Sequence, residues 1–563
     1  MRRPVIAIGL DAATSPLIER WMAAGLLPTL AGLRARGAYA PLRGYPHHTA
    51  ETVWTTFHTG CPPPTVGYWS PVHFRDGTYD LEEVGAYDYQ AYPPFYALGQ
   101  DYRVAIFDAP QTRLSEGVNG LQILAWGAHS PQTDSASSPA GLLEELTARH
   151  GPDPTLRQDW ACIYDPDSIL RLKQGLETGI ARRSLISQDL VQRERWDLFL
   201  TVFDCFHSAG HVFWHLSDPD HPLHARFAGR FQREPLQDLF IASDRAIGEI
   251  IAKAPSDASV VVFSTHGMET NVLDLSSIVL LPELMYRFSF PGHTALAPGR
   301  SDVRPPPPDT GRRVVQENWS RALWSLTREG GAAKSFLKRT LRTRYSRRLE
   351  FLFGKPADTD PLSPFRFGAP KWLDRAQPAT WFQHLWPRMK AFALPSFSEG
   401  YIRINLQGRE PEGIVPAADY DRLCDELIAL LSRTTDARTG QSVVREVVRT
   451  RQDPMARDPR LPAADLVVRW NHQRPADVFD SPLGRVGPVP FLRTGGHNAD
   501  GFLIARGPGI PVGVTLPEGR TVDIPATLLG LMSAPIPAHM EGRPLVPPAR
   551  RGSGARQVVT RSA

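Results

Sequence analysis

An α/β fold, with a mostly parallel central sheet sandwiched by helices, is predicted by two features of the sequence. Short runs at Val5–Leu10 (VIAIGL), 103–107, 197–203, 259–263, 465–468 and 502–505 are apolar almost throughout, the pattern of strands buried on both faces. Most of them neighbour stretches whose apolar residues recur at helical spacing, at 15–36, 169–192, 236–251 and 420–431. Strand and helix in alternation build a parallel sheet covered on both sides. Ligands of such sheets sit beyond the carboxyl ends of the strands, and Asp11, Asp204 and His266 each fall just after an apolar run.

A chain of 563 residues exceeds the roughly 250–300 at which a single core stops growing, so a large catalytic domain carrying an insertion is expected. Composition changes between 289 and 396. Prolines 305–308 cannot form a helix, and Lys334, Lys338, Arg339, Arg342, Arg344, Arg347 and Arg348 alternate with Phe336, Leu337, Leu341 and Leu349. That basic stretch reads either as a solvated helix face or as a surface for an anionic substrate, lipid or RNA. We assign 1–288 and 397–546 to the two parts of the core, 289–396 to an inserted cap and 547–563, rich in Arg, Gly and Ser, to a disordered tail.

A formal charge of +4 is too small for so long a chain to point to nucleic acid as a partner. Cys61, Cys162, Cys205 and Cys424 show no CxxC spacing, which excludes a zinc ribbon and a disulfide framework, and reduced thiols fit a cytoplasmic protein. Val5–Leu10 is too short for the core of a signal peptide, and no apolar run approaches the roughly 20 residues of a membrane span.

Five segments pair strand-like runs with residues that bind metals or carry hydroxyls: GLDA, HHTAETVW, FDCFHSAGH, FSTHGM and GGHNADG. Asp11 offers an acceptor-only carboxylate, or else caps the helix that follows. In DCFHSAGHVFWH, His207 and His211 are four residues apart and Asp204 and His207 three apart, so on a helical turn either pair converges on one ion. Gly267 after His266 permits close backbone approach, and His497 stands in what reads as a glycine-flanked loop. Thr49 and Thr52 sit at the start of an expected helix from about Ala50 to His58, where a hydroxyl is either a nucleophile or an ordinary N-cap.

These residues, together with TVWTTFHTGCPPPTVGYW, YIRINLQGRE, GGHNADGFLIARGPGI and VDIPATLLGLMSAPIPAHMEGRPL, resemble the type I phosphodiesterase/nucleotide pyrophosphatase branch of the alkaline phosphatase superfamily. The resemblance covers about residues 4–70, 196–271 and 400–546. It implies a divalent-metal site, usually with two zinc ions, and a Thr or Ser nucleophile that becomes covalently phosphorylated. By position, Asp11 and His266 would hold the ion beside the nucleophile, and His211 and His497 the ion that activates water.

Three departures stand out. Thr265 replaces the Asp of the family's Asp-His-Gly, which weakens the second metal site. His207 stands where the family has Asp in Asp-x-x-x-His, so either His207 replaces that carboxylate or Asp204 reaches in. The nucleophile position falls on Ala50, and a one-residue shift brings Thr49 there, with Thr52 as a rival.

The expected activity is metal-dependent hydrolysis of a small-molecule phosphoric ester through a Thr nucleophile, with zinc as the cofactor in one or two ions. The alternatives are a metal-poor, anion-binding pseudoenzyme and a phosphotransferase or phosphomutase of the same fold. A sulfatase is disfavoured because Cys61-Pro62-Pro63-Pro64-Thr65 lacks the Arg of the formylglycine motif.

Overall fold

Val5–Leu10 forms the strand its apolar run predicts, and all six residues are buried. The computed structural model describes residues 2–48, 51–85, 92–127, 133–156, 163–297, 377–472 and 474–546, plus positions 299, 302, 304, 323, 326, 361 and 362. Thr49, most of the expected cap with prolines 305–308 and the 334–348 basic stretch, and the expected tail lie outside the described residues.

Val5–Leu10 runs parallel to Leu198–Phe203 on one side and Ser259–Ser264 on the other. Gly99–Phe107 and then Val118–Leu124 extend the parallel set. Antiparallel strands flank it, Asp500–Arg506 and Ala38–Arg43 at one side and Ala136–Ser138 at the other. Two short strands, Val514–Thr515 and Gly519–Arg520, pair with Ala38–Arg43 and complete ten strands among the described residues.

The two-residue period of a strand divides its side chains between two cores. Ile6, Ile8 and Leu10 pack into one apolar cluster with residues of the helices Ser15–Ala23, Pro28–Ala35, Pro166–Arg193, Cys205–Ser217 and Pro235–Lys253. Val5 and Ala7 pack on the opposite face with Val53–Thr59 and Asp523–Met532. Fully burying a Val, Leu or Phe side chain is worth about 1.5–3 kcal/mol, so both faces hold the sheet between helical layers. The long Pro166–Arg193 helix begins where its sequence provides a stop: the Asp165 carboxylate accepts from Ser168 N at 2.8 Å, and Pro166 occupies the first turn.

Four expectations are corrected. The apolar run at 465–468 belongs to Leu466–Trp470, which lies in a separate antiparallel sheet with Ala391–Leu394, Gly400–Ile404 and Val444–Arg449. A fully buried antiparallel strand has the same unbroken apolar signature as a parallel one. The stretch 15–36 divides into two helices because Gly25 turns left-handed at φ 74° and Pro28 opens the next helix. The helix after HHTAET begins at Val53 rather than Ala50, with Thr52 at its N-cap. The histidine of GGHN is in a strand, Gly495–Asn498, not a loop. In the small sheet Leu394 pairs with Tyr401.

Candidate active site

Asp11 follows the last residue of Val5–Leu10, and the chain turns left-handed at once, with Ala12 at φ 61°. A non-glycine residue in that region costs of order 1–3 kcal/mol, a strain the surrounding packing must hold. Asp11 is buried, and its Oδ1 accepts from Trp54 Nε1 at 3.0 Å, so the Val53–Thr59 helix fixes the carboxylate from the side. Burial lifts its pKa from 3.8 to about 7, opposed by the Trp54 bond.

The parallel neighbours carry the other groups. Leu198–Phe203 leads through Asp204 into the Cys205–Ser217 helix, which presents His207 and His211 on one face one turn apart. Ser259–Ser264 leads to Thr265 and His266, and then to the strand Gly267–Thr270. That strand pairs antiparallel with Gly495–Asn498, setting His497 opposite Met268. Glycine is required on both partners. A Cβ on Gly267 would lie 2.6 Å from Asn498 Oδ1, and one on Gly495 would lie 2.2 Å from the carbonyl oxygen of Gly210. The second approach lets the helix pass close enough for His211 Nδ1 to reach the Gly495 carbonyl at 2.8 Å.

These elements bring five of the six expected ligands together. One ligand atom from each of His207, His211 and His497 lies within 4.8 Å of the others, and the same is true of Asp11, His207 and His266. His207 Nδ1 is 3.6 Å from Asp11 Oδ2, and His266 Nε2 is 3.8 Å from Asp11 Oδ1. The ring centroids lie 4.7 Å apart for His207 and His211 and for His211 and His497, both near-perpendicular, and for His266 and His497, which are tilted. Burial pushes His266 down to about 3, so its imidazole is neutral and keeps a lone pair.

Asp204 does not join either group. Its carboxylate is buried against Arg183, with Oδ1 3.2 Å from Nη2, and it forms the N-cap position of the helix. Of the two residues expected at the missing carboxylate position, His207 lies beside Asp11 and Asp204 pairs with Arg183 instead. Thr265 is also accounted for: its Oγ1 bonds His266 Nδ1 at 2.9 Å, which turns the opposite nitrogen toward Asp11. Thr52 is buried and its hydroxyl donates to the His48 carbonyl at 3.0 Å. Thr49 lies outside the described residues.

Sequence reasoning missed three partners. Trp54 orients Asp11; it was visible only as an apolar residue of a helix. The Gly495 carbonyl orients His211 through a backbone atom, which no side-chain pattern records. Arg493 places Nη1 3.1 Å from His211 Nε2 while its Nε and Nη2 both bond Asp274 at 2.7 Å.

An imidazole-rich cluster with one carboxylate suits a borderline cation such as zinc better than magnesium or calcium, which demand oxygen ligands. The donor chemistry and reach of His207, His211 and His497 therefore fit a divalent ion.

Among the described residues no helix is long and apolar enough to cross a membrane. No curated protein matches the chain. Two solved structures of phosphonoacetate hydrolase from Sinorhizobium meliloti 1021 are similar over 95% of this chain and 96% of theirs. The complex with phosphonoformate is 15% identical at a TM-score of 0.48, and that with phosphonoacetate 14% identical at 0.47. Residues 5–350, more than half of the chain, match the model of the family described as type I phosphodiesterase / nucleotide pyrophosphatase. The chain belongs to this family, and it is a hydrolytic enzyme that acts on phosphoric esters.

Proposed function

We propose that this enzyme cleaves small phosphoric esters at a divalent cation, zinc by its donor chemistry, held by His207, His211 and His497 with Asp11 and His266 beside it. The observation that carries the reading is the convergence of imidazoles from two distant segments, 207–211 and 497, next to the one strand-end carboxylate that Trp54 orients. Bound there, a cation polarises a phosphoryl oxygen and lowers the pKa of a nearby hydroxyl. With Thr265 in the place of a carboxylate, the Asp11 side is the poorer of the two groups, which favours one tightly held ion over two.

For the nucleophile we choose Thr49 over Thr52. The Thr52 hydroxyl is already engaged by the His48 carbonyl, which leaves Thr49 as the better candidate. The leaving group is assigned to a cavity of about 130 Å³ that opens on His48, next in sequence to Thr49. Its lining includes Trp69, Phe74, Tyr401 and Arg451, and His48 stacks on Tyr401 with ring centroids 4.2 Å apart. Flat apolar groups suit such walls. The segment 289–396 we retain as an insertion in the core.

The test is turnover of nitrophenyl phosphate mono- and diesters by the wild-type chain, Thr49→Ala and Thr52→Ala. Loss of turnover in Thr49→Ala alone supports the assignment. Full activity in the double variant removes the covalent route, and no turnover by the wild type on any ester contradicts the proposal.

A further inference from the structure

Arg493 stands two residues before the Gly495–Asn498 strand, and its guanidinium is divided between two tasks. Nε and Nη2 form a bidentate pair with the buried Asp274 carboxylate, which locks the plane of the group. Nη1 extends past that pair to His211 Nε2 at 3.1 Å. The direction of this second bond follows from the first shell of His211. The Gly495 carbonyl can only accept, so His211 Nδ1 carries the proton, Nε2 carries the lone pair, and Arg493 donates to it.

That lone pair is the one a cation in the three-histidine group needs. Arginine has no acceptor and stays charged, so Nη1 and a divalent ion cannot occupy Nε2 together. When the ion takes His211, the Asp274 clamp keeps the guanidinium beside the cluster, where Nη1 exchanges His211 for another acceptor. An anionic phosphoryl oxygen is the acceptor that matches it in charge.

We propose that Arg493 is a phosphoryl-binding residue that exchanges His211 for an anionic oxygen of the substrate when the cation is bound. This rests on the hydrolase reading above and deepens it. The exchange couples the two ligands: the cation frees the arginine for the anion, and the anion holds the arginine away from the cation's ligand, so each tightens the other. It also supplies positive charge at a site where Thr265 and His207 stand in place of carboxylates, so a phosphate can be held with a single ion.

The experiment measures binding rather than turnover, by calorimetry on the full chain as wild type, Arg493→Gln, Arg493→Lys and His211→Ala. Zinc is titrated into the chelator-treated chain, and inorganic phosphate into the zinc-loaded chain. Arg493→Gln is expected to bind zinc about tenfold more tightly, because a charge-assisted competitor is gone, and phosphate about tenfold more weakly. Arg493→Lys should recover part of the phosphate affinity, and it serves alone if the Gln variant does not fold. His211→Ala should abolish the high-affinity zinc site.

Zinc and phosphate affinities that are both unchanged in Arg493→Gln overturn this proposal and leave the hydrolase reading intact. Unchanged phosphate affinity with tighter zinc binding also overturns it, since the arginine then only competes. Failure of the wild-type chain to bind zinc contradicts the hydrolase reading itself and is seen without any variant.

Discussion

Two buried clusters of titratable groups lie side by side at the carboxyl end of the parallel strands, and they are built in opposite ways. Around Asp11, the described residues place one carboxylate among four imidazoles. Around Arg183, they place three carboxylates about one guanidinium. Nη2 bonds Asp108 Oδ2 at 2.5 Å and Asp204 Oδ1 at 3.2 Å, and the charge of Arg183 acts on Asp153 as well. Asp108 further accepts from the backbone N–H groups of Trp126 and Gly127, and Asp153 from Thr155. The second cluster carries its own cation within the chain. The first is rich in lone pairs and poor in charge, which is the condition for recruiting a cation from outside. Position at a strand end therefore does not make an acid a metal ligand; the nearest fixed charge decides.

The largest effect separates the two clusters directly. His211→Ala should lower zinc affinity by more than about 100-fold, beyond the 10–100-fold typical of losing a group that only supports a ligand. Its thermal stability should fall less, by the loss of the bond to the Gly495 carbonyl. Arg183→Leu should do the reverse: uncompensated buried carboxylates cost about 3–5 kcal/mol, read as a lowered denaturation midpoint. Asp204→Asn sharpens the contrast, because zinc stoichiometry should be unchanged. Loss of zinc in that variant would erase the distinction and return Asp204 to the ligand set.

Trp54→Phe is a smaller test of how Asp11 is held. Removing the indole N–H leaves the ring volume nearly intact but frees the carboxylate, and zinc affinity should fall about tenfold. Equal affinity would mean that Trp54 only packs.

The smallest effect is on pH dependence. His215 and His221 lie outside both clusters, and burial lowers each from 6.5 to about 3. The unfolded chain binds more protons than the folded one between those values, so these groups favour folding above pH 6.5 and lose that contribution as pH falls toward 3. Replacing His221 with Gln should reduce the slope of unfolding free energy against pH in this window by up to about 1.4 kcal/mol per pH unit. An unchanged slope would show that the group is protonated while folded.

The parallel core was legible because its strands are apolar on both faces, and Val5–Leu10 and Leu198–Phe203 fall where their runs end. The 465–468 run misled because burial, not strand direction, writes that pattern. At the site, Asp11, His207, His211 and His266 were readable as residues that follow strands or share a helix face, and His497 through the family resemblance. Asp204 carried the same signal as Asp11, and only the third dimension shows Arg183, from a helix 21 residues earlier, neutralising it. Arg493 was silent for a similar reason: a long side chain acts far from its own backbone, and the spacing of ligands says nothing about what reaches in from the rim.

The claim that all of this serves is that His207, His211 and His497 hold the ion on which ester hydrolysis depends. Zinc content and nitrophenyl diester turnover, measured together as zinc is returned to the chelator-treated chain, test it most directly. The account predicts that turnover is absent without zinc and rises in proportion to the first equivalent bound. Full turnover in the chelated chain, or one equivalent bound with no turnover, would contradict it.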